Sequence, residues 1–164
     1  MKTALTLVLS LLALCAAPAA QAADTPPLVA AYVEQLLKQC GASPAQSVGL
    51  IQRLDLNGDK LQDWIVDNSR APCPTRPKAF ADYGQRVTIF LTQADGNALP
   101  GFQRDAFGTS IERDPTGRYQ LWVTLAGADC GESDQAKRCS RQIVWRAAEK
   151  RLDVTPPDNA KTGS

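Results

Sequence analysis

The chain has 164 residues, with 18 Lys and Arg against 17 Asp and Glu, five cysteines and no histidine. That length suits one domain with a modest core, and a net charge near zero gives the chain no global attraction to DNA, RNA or acidic membranes. Without histidine, Ser-His-Asp and Cys-His nucleophile activation, His-ligated zinc hydrolysis and ordinary His acid–base catalysis are closed, which leaves carboxylates, Lys, Tyr or a bound metal.

From Met1 to about Ala23 the chain has the form of a secretory signal. Lys2 supplies the positive start, Ala4 to Ala17 is a short apolar run, and Ala20-Gln21-Ala22 has the small-x-small pattern of a cleavage site. An uncleaved membrane anchor and a lipoprotein linked through Cys15 are the alternatives. Leu14 precedes Cys15, however, where a lipidation site wants a small residue. Cleavage would remove Lys2 and Cys15 together, leaving no net charge and the cysteines Cys40, Cys73, Cys130 and Cys139. No long apolar segment follows, so the expected product is periplasmic or secreted, with no membrane insertion.

An even cysteine count in an exported chain reads as two disulfides. Three pairings exist, and sequence proximity favours Cys40–Cys73 and Cys130–Cys139. A zinc site built from all four has no Cys-x-x-Cys pair to support it. Disulfide-bonded cysteines are also lost as thiolate nucleophiles.

Thr25 to Cys40 has helical periodicity, with Leu28, Val29, Tyr32, Val33, Leu36, Leu37 and Cys40 on one stripe. Thr25 is the expected N-cap, with Pro26 at the first helical position and Gly41 as the left-handed stop. Strands are expected at Ser47–Asp55, Asp63–Asp67, Arg86–Thr92, Phe107–Arg113, Tyr119–Ala126, Arg141–Ala147 and Leu152–Val154. Residues 69–85, rich in proline, read as an irregular loop tied down by Cys73. The pattern predicts an α+β, mainly β domain over 24–155, with the N-terminal helix packed on one antiparallel sheet of about six or seven strands. The tail 156–164 reads as disordered.

Alternation places Val87, Ile89 and Leu91 on one face of their strand, and Tyr119, Leu121, Val123 and Leu125 on one face of theirs. Phe90 and Trp122 then fall on opposite sides of those strands from the apolar sets, and are expected to share a face of the single sheet. Either the helix buries them or they form an aromatic contact patch for a partner. Residues 127–134 and the step to Cys139 suggest a stapled surface loop with an acidic and a basic half.

The stretch Asp-Leu-Asn-Gly-Asp-Lys-Leu-Gln-Asp, from Asp55 to Asp63, places Asp55, Asn57, Asp59 and Asp63 at alternate and terminal positions of a short loop between two strands. Such oxygen-rich spacing suits a hard cation. The stretch resembles the calcium loop of FG-GAP and VCBS-type repeats, as in integrin propeller blades, over about nine to twelve residues. That resemblance implies a structural calcium held by Asp55, Asn57, Asp59, the Leu61 carbonyl and Asp63. Lys60 stands where the family has glycine; a lysine takes the left-handed conformation there at about 1 kcal/mol. The motif occurs once, so no propeller is implied. An EF-hand would need a bidentate glutamate where Val66 stands. The competing reading is a metal-free turn closed by Asp and Asn side chains on backbone amides.

Beyond this loop, the overall pattern resembles small exported bacterial proteins of unknown role. The functional expectation is a non-enzymatic exported module, stabilised by calcium, that binds another macromolecule, for example as an inhibitor or immunity protein of an exported enzyme. The opposing expectation is a carboxylate- or metal-dependent hydrolase centred on Asp55, Asp59 and Asp63. A structural metal site is closed by protein oxygens, whereas a catalytic one keeps an open position.

Overall fold

The computed structural model describes residues 25–47, 49–73 and 85–157. The expected signal (1–23), most of the proline-rich loop and nearly all of the tail therefore lie outside the described residues.

Helix α1 spans Pro27–Cys40. It starts one residue later than expected, because Pro26 is extended (φ −54°, ψ 141°) and takes the N-cap position in place of Thr25, with no side chain capping the N-terminus. Pro27 takes the first turn instead, where a missing N–H costs nothing. Gly41 ends the helix at φ 67°, and its amide donates back to Leu37 and Lys38.

The strands are β1 (Ile51–Leu54), β2 (Asp63–Asp67), β3 (Gln85–Thr92), β4 (Ala98–Ala106), β5 (Thr109–Arg113), β6 (Tyr119–Ala126), β7 (Arg138–Arg146) and β8 (Arg151–Val154). Among the described residues they form two antiparallel sheets of four, ordered β1-β2-β3-β4 and β5-β6-β7-β8. The single sheet of six or seven strands is therefore corrected to two sheets. The short link Phe107-Gly108 carries the chain from the edge strand β4 into β5 of the second sheet.

Three layers result. Leu54, Ile65, Val87, Ile89, Leu91 and Ala106 of the first sheet pack against Leu121, Val123, Leu125, Ile143 and Leu152 of the second. The other face of the first sheet carries Trp64, Val66, Phe90 and Ala98, covered by Val29, Val33, Leu36 and Leu37 of α1. This explains why every residue of β2 is buried: its alternate side chains meet the second sheet on one side and the helix on the other. At the end of β2, the buried Asp67 accepts the Thr109 hydroxyl at 2.7 Å and the Ser69 amide at 2.9 Å, so one carboxylate ties both sheets together.

Strand β4 is absent from the elements expected from the sequence, and its irregularity is the reason. It pairs with β3 as Ile89↔Phe102 and then Phe90↔Pro100, leaving Gly101 as the extra residue of a bulge. A Cβ on Gly101 would sit 2.5 Å from Leu91 Cγ. Pro100 withholds an N–H, which an edge strand tolerates.

Cys40 and Cys73 lie at bonding distance, as do Cys130 and Cys139. The first pair fastens the end of α1 to the segment after β2; the second staples the turn between β6 and β7. By chain entropy alone, closing loops of these lengths stabilises by about 3.8 and 2.7 kcal/mol respectively. No helix among the described residues is long and apolar enough to cross a membrane.

Candidate functional site

The acidic turn between β1 and β2 is organised by its own backbone. Asp55 accepts the Gly58 amide at 2.7 Å and the Lys60 amide at 2.9 Å, one on each carboxylate oxygen. Asn57 Oδ1 accepts the Asp59 amide, and Asp59 Oδ1 accepts that of Leu61. The Asn57 amide group also donates to Asp59 Oδ2 at 2.9 Å. Lys60 adopts φ 71°, the left-handed geometry for which glycine is the easier residue.

Asp63 is separated from this group by function. It is fully buried at the start of β2. One oxygen accepts the Leu56 amide and the other the Thr92 amide, each at 2.9 Å, so it joins the turn to β3. Burial pushes its pKa up, against the pull of the two amides; Asp59 and Asp55 nearby add to the rise.

The expected ligand set is thus present as oxygen donors in one turn. Among the described residues, however, no three acidic or other metal-ligating side chains converge closely enough to hold a metal ion. Both oxygens of Asp55 and of Asp63 already accept amides, so a cation would compete with those bonds. Oxygen is the donor type that calcium takes, but the side chains of the turn are bonded to amides and to one another and do not converge on a common point.

The expected aromatic patch divides between the two sheets. Phe90 is 2% exposed, lies in the first sheet, and meets Tyr32 of α1 edge to face at 5.5 Å between ring centres. Trp122 lies in the second sheet, on the face opposite the core residues Leu121 and Val123. The pair cannot form one contact surface, because the two strands belong to different layers. Phe90 is part of the helix–sheet core.

Sequence reasoning missed the side chains that are exposed instead. Among the described residues the large exposed apolar side chains are Leu28 (45%), Leu99 (55%) and Tyr119 (52%). Leu28 and Leu99 line the same open groove of about 560 Å³, between the first turns of α1 and the β3–β4 turn. Ala31 and Ala98 also line it, and Gln93, Asp95 and Asn97 give it a polar rim on the side of the turn. Asp95 accepts the backbone and side-chain amides of Asn97 at 2.9 Å each, which lowers its pKa and keeps it charged. Leu28 carried a signal for this: it sits beside Val29 at the edge of the helical stripe, and only one of two adjacent residues can face the sheet.

Comparisons of the chain with protein-family models, with curated proteins and with solved structures found no match.

Proposed function

We propose that the chain is a non-enzymatic exported module that binds a protein partner through the groove between α1 and the β3–β4 turn. The observation that carries this reading is the meeting of Leu28 and Leu99, two exposed leucines from distant parts of the chain, in one groove with a polar rim. An apolar centre ringed by hydrogen-bonding groups is the usual anatomy of a protein contact. Its volume lies within the ~300–1,000 Å³ range of small binding sites, enough for an anchoring side chain. Asp95 on the rim selects a partner segment with an apolar anchor beside a Lys or Arg. Inhibitors and immunity proteins of exported enzymes are of this kind: small, disulfide-stapled and active by occupancy.

Export is supported by the signal-like first residues and by the two cysteine pairs at bonding distance. The hydrolase reading has less support. Asp63 is fully buried, both of its oxygens are bonded to amides, and the groove is lined by other residues.

Within this reading the acidic turn serves the fold and takes calcium weakly. Competition with the amides of Gly58 and Lys60 for Asp55 sets the affinity at the extracellular end of the range, about 0.1–1 mM. Calcium tenfold above its dissociation constant then stabilises by about 1.4 kcal/mol. Thermal melts should show a small rise with millimolar calcium that chelator reverses and Asp59→Ala abolishes. A melting temperature indifferent to calcium in both proteins would leave the turn as a metal-free clamp.

The groove itself is tested by capture. Immobilised wild-type chain and the variant Leu28→Asp/Leu99→Asp are compared on the exported proteins of the source cell. The expected result is an identifiable protein retained by the first and absent from the second. Equal retention by both would place the contact elsewhere.

A further inference from the structure

Asn57-Gly58, in the turn between β1 and β2, is the one Asn-Gly pair of the chain; Asn68, Asn97 and Asn159 are followed by Ser69, Ala98 and Ala160. The fold imposes this pair. Gly58 sits at φ 81°, a conformation that favours glycine, so the turn places after Asn57 the residue that least hinders its own peptide nitrogen. Gly58 is exposed, and a Cβ added there would meet nothing within 4 Å, so water and base reach this peptide.

A carboxamide beside such a nitrogen has a reaction of its own. The Gly58 nitrogen gives up its proton and attacks Asn57 Cγ. A C–N bond forms, the Cγ–Nδ2 bond breaks, and Nδ2 leaves as ammonia with the proton. Water then opens the cyclic imide at either carbonyl, giving aspartate or isoaspartate; nothing is oxidised or reduced. The hydrogen bonds of the turn oppose the first step at both reacting groups. The Gly58 N–H donates to Asp55 Oδ1 at 2.7 Å, and the negative charge there disfavours the amide anion. The carboxamide is held at both ends by Asp59: its Oδ1 accepts the Asp59 amide at 3.1 Å, and its Nδ2 donates to Asp59 Oδ2 at 2.9 Å. Turning the carboxamide toward the Gly58 nitrogen breaks both bonds, so the resting turn is not a near-attack geometry.

We infer that Asn57-Gly58 is a self-modification site: Asp55 and Asp59 set its rate of deamidation, and its product releases the turn. After reaction the Nδ2 donor is gone, and two like charges face each other where the bond between residues 57 and 59 stood. The isoaspartyl form also inserts a carbon into the main chain before Gly58, which displaces the Gly58 and Lys60 amides from Asp55. Loss of ammonia makes the change one-way, so it accumulates with the age of the molecule. The inference depends neither on calcium nor on the groove.

The test is a time course at mildly alkaline pH, with chelator present, on the folded chain, on the same chain reduced and unfolded in guanidinium chloride, and on folded Asp59→Ala. Tryptic mapping follows the peptide Leu54–Lys60, in which Asn57 is the one amide side chain, so a mass gain there reports it directly. Isomerisation at Asp95-Gly96 falls in another peptide and leaves the mass unchanged. Asn57 should react about tenfold more slowly in the folded chain than in the unfolded one, and severalfold faster in Asp59→Ala than in wild type. Asp59 is exposed, so the variant should fold, and a cooperative melt confirms it. The deamidated fraction, separated by its added negative charge, should melt below the fresh chain. The inference is overturned if folded and unfolded chains react at the same rate, if folded Asp59→Ala keeps the wild-type rate, or if the deamidated fraction melts with the fresh chain. Should Asp59→Ala not fold, the other two comparisons decide.

Discussion

Asp63 shows how a residue of the expected metal set can have another task. Its two oxygens satisfy the amides of Leu56 and Thr92, which lie in different segments of the chain. Removing it leaves two part-buried amides without their acceptor, at about 1–3 kcal/mol each where water cannot replace it. Asp63→Ala should therefore lose up to about 2–6 kcal/mol in urea unfolding, whether or not calcium is present. A loss below 1 kcal/mol would mean that the amides find other acceptors. Asp114 governs a pH dependence. The Thr116 hydroxyl, and after it the Arg118 and Thr116 amides with the Arg118 charge, hold its pKa below the ordinary 3.8. A depressed folded-state pKa means that the unfolded chain binds the proton more readily. The contribution of Asp114 to stability is therefore fully present above pH 3.8 and is lost as pH falls through its folded value. Thermal melts from neutral pH down to about 2 should show a shallower acid-side decline in Asp114→Asn than in wild type. Parallel curves would contradict this.

At the scale of elements, the bulge in β4 makes a sharp prediction. Gly101→Ala places a methyl group against Leu91 Cγ and should cost about 1–3 kcal/mol by overpacking. Leu91→Ala costs a cavity of its own, yet it empties the space the new methyl needs. The double variant should be less destabilised than the sum of the singles, and additivity would show that the two residues do not meet. The same bulge explains which parts of the fold were legible. Helix α1 was readable because its stripe and Gly41 agree, β3 and β6 because their apolar residues alternate, and β2 because an apolar run follows the acidic loop. Strand β4 was hidden by Pro100 and Gly101, which read as breakers where the chain remains paired. The division into two sheets was hidden because alternation gives the faces of a strand and says nothing about which sheet it joins. Hence Phe90 and Trp122, correctly assigned to the faces opposite their strands' apolar sets, were placed together when two layers separate them. The acidic turn was legible as a turn. Its bonding to backbone amides was not, since Asp and Asn at alternate positions serve a metal and an Asx turn equally well.

For the whole molecule, the three layers divide the work. The first sheet is covered on both faces and holds the core; its helix and β3–β4 turn leave two leucines exposed beside each other. Two cysteine pairs and the amide-bonded acidic turn fix the segments around that frame. A frame fixed in this way would limit the entropy lost on binding if the groove takes a partner, as proposed. The central claim is that the groove is where the partner sits. Titration calorimetry of the purified captured partner against wild type, Leu28→Asp and Leu99→Asp tests it most directly. Each single variant should weaken binding by about tenfold or more, the loss typical of an anchor residue, with the melting temperature held near that of wild type because both side chains are exposed. Unchanged affinity in both folded variants would contradict the account.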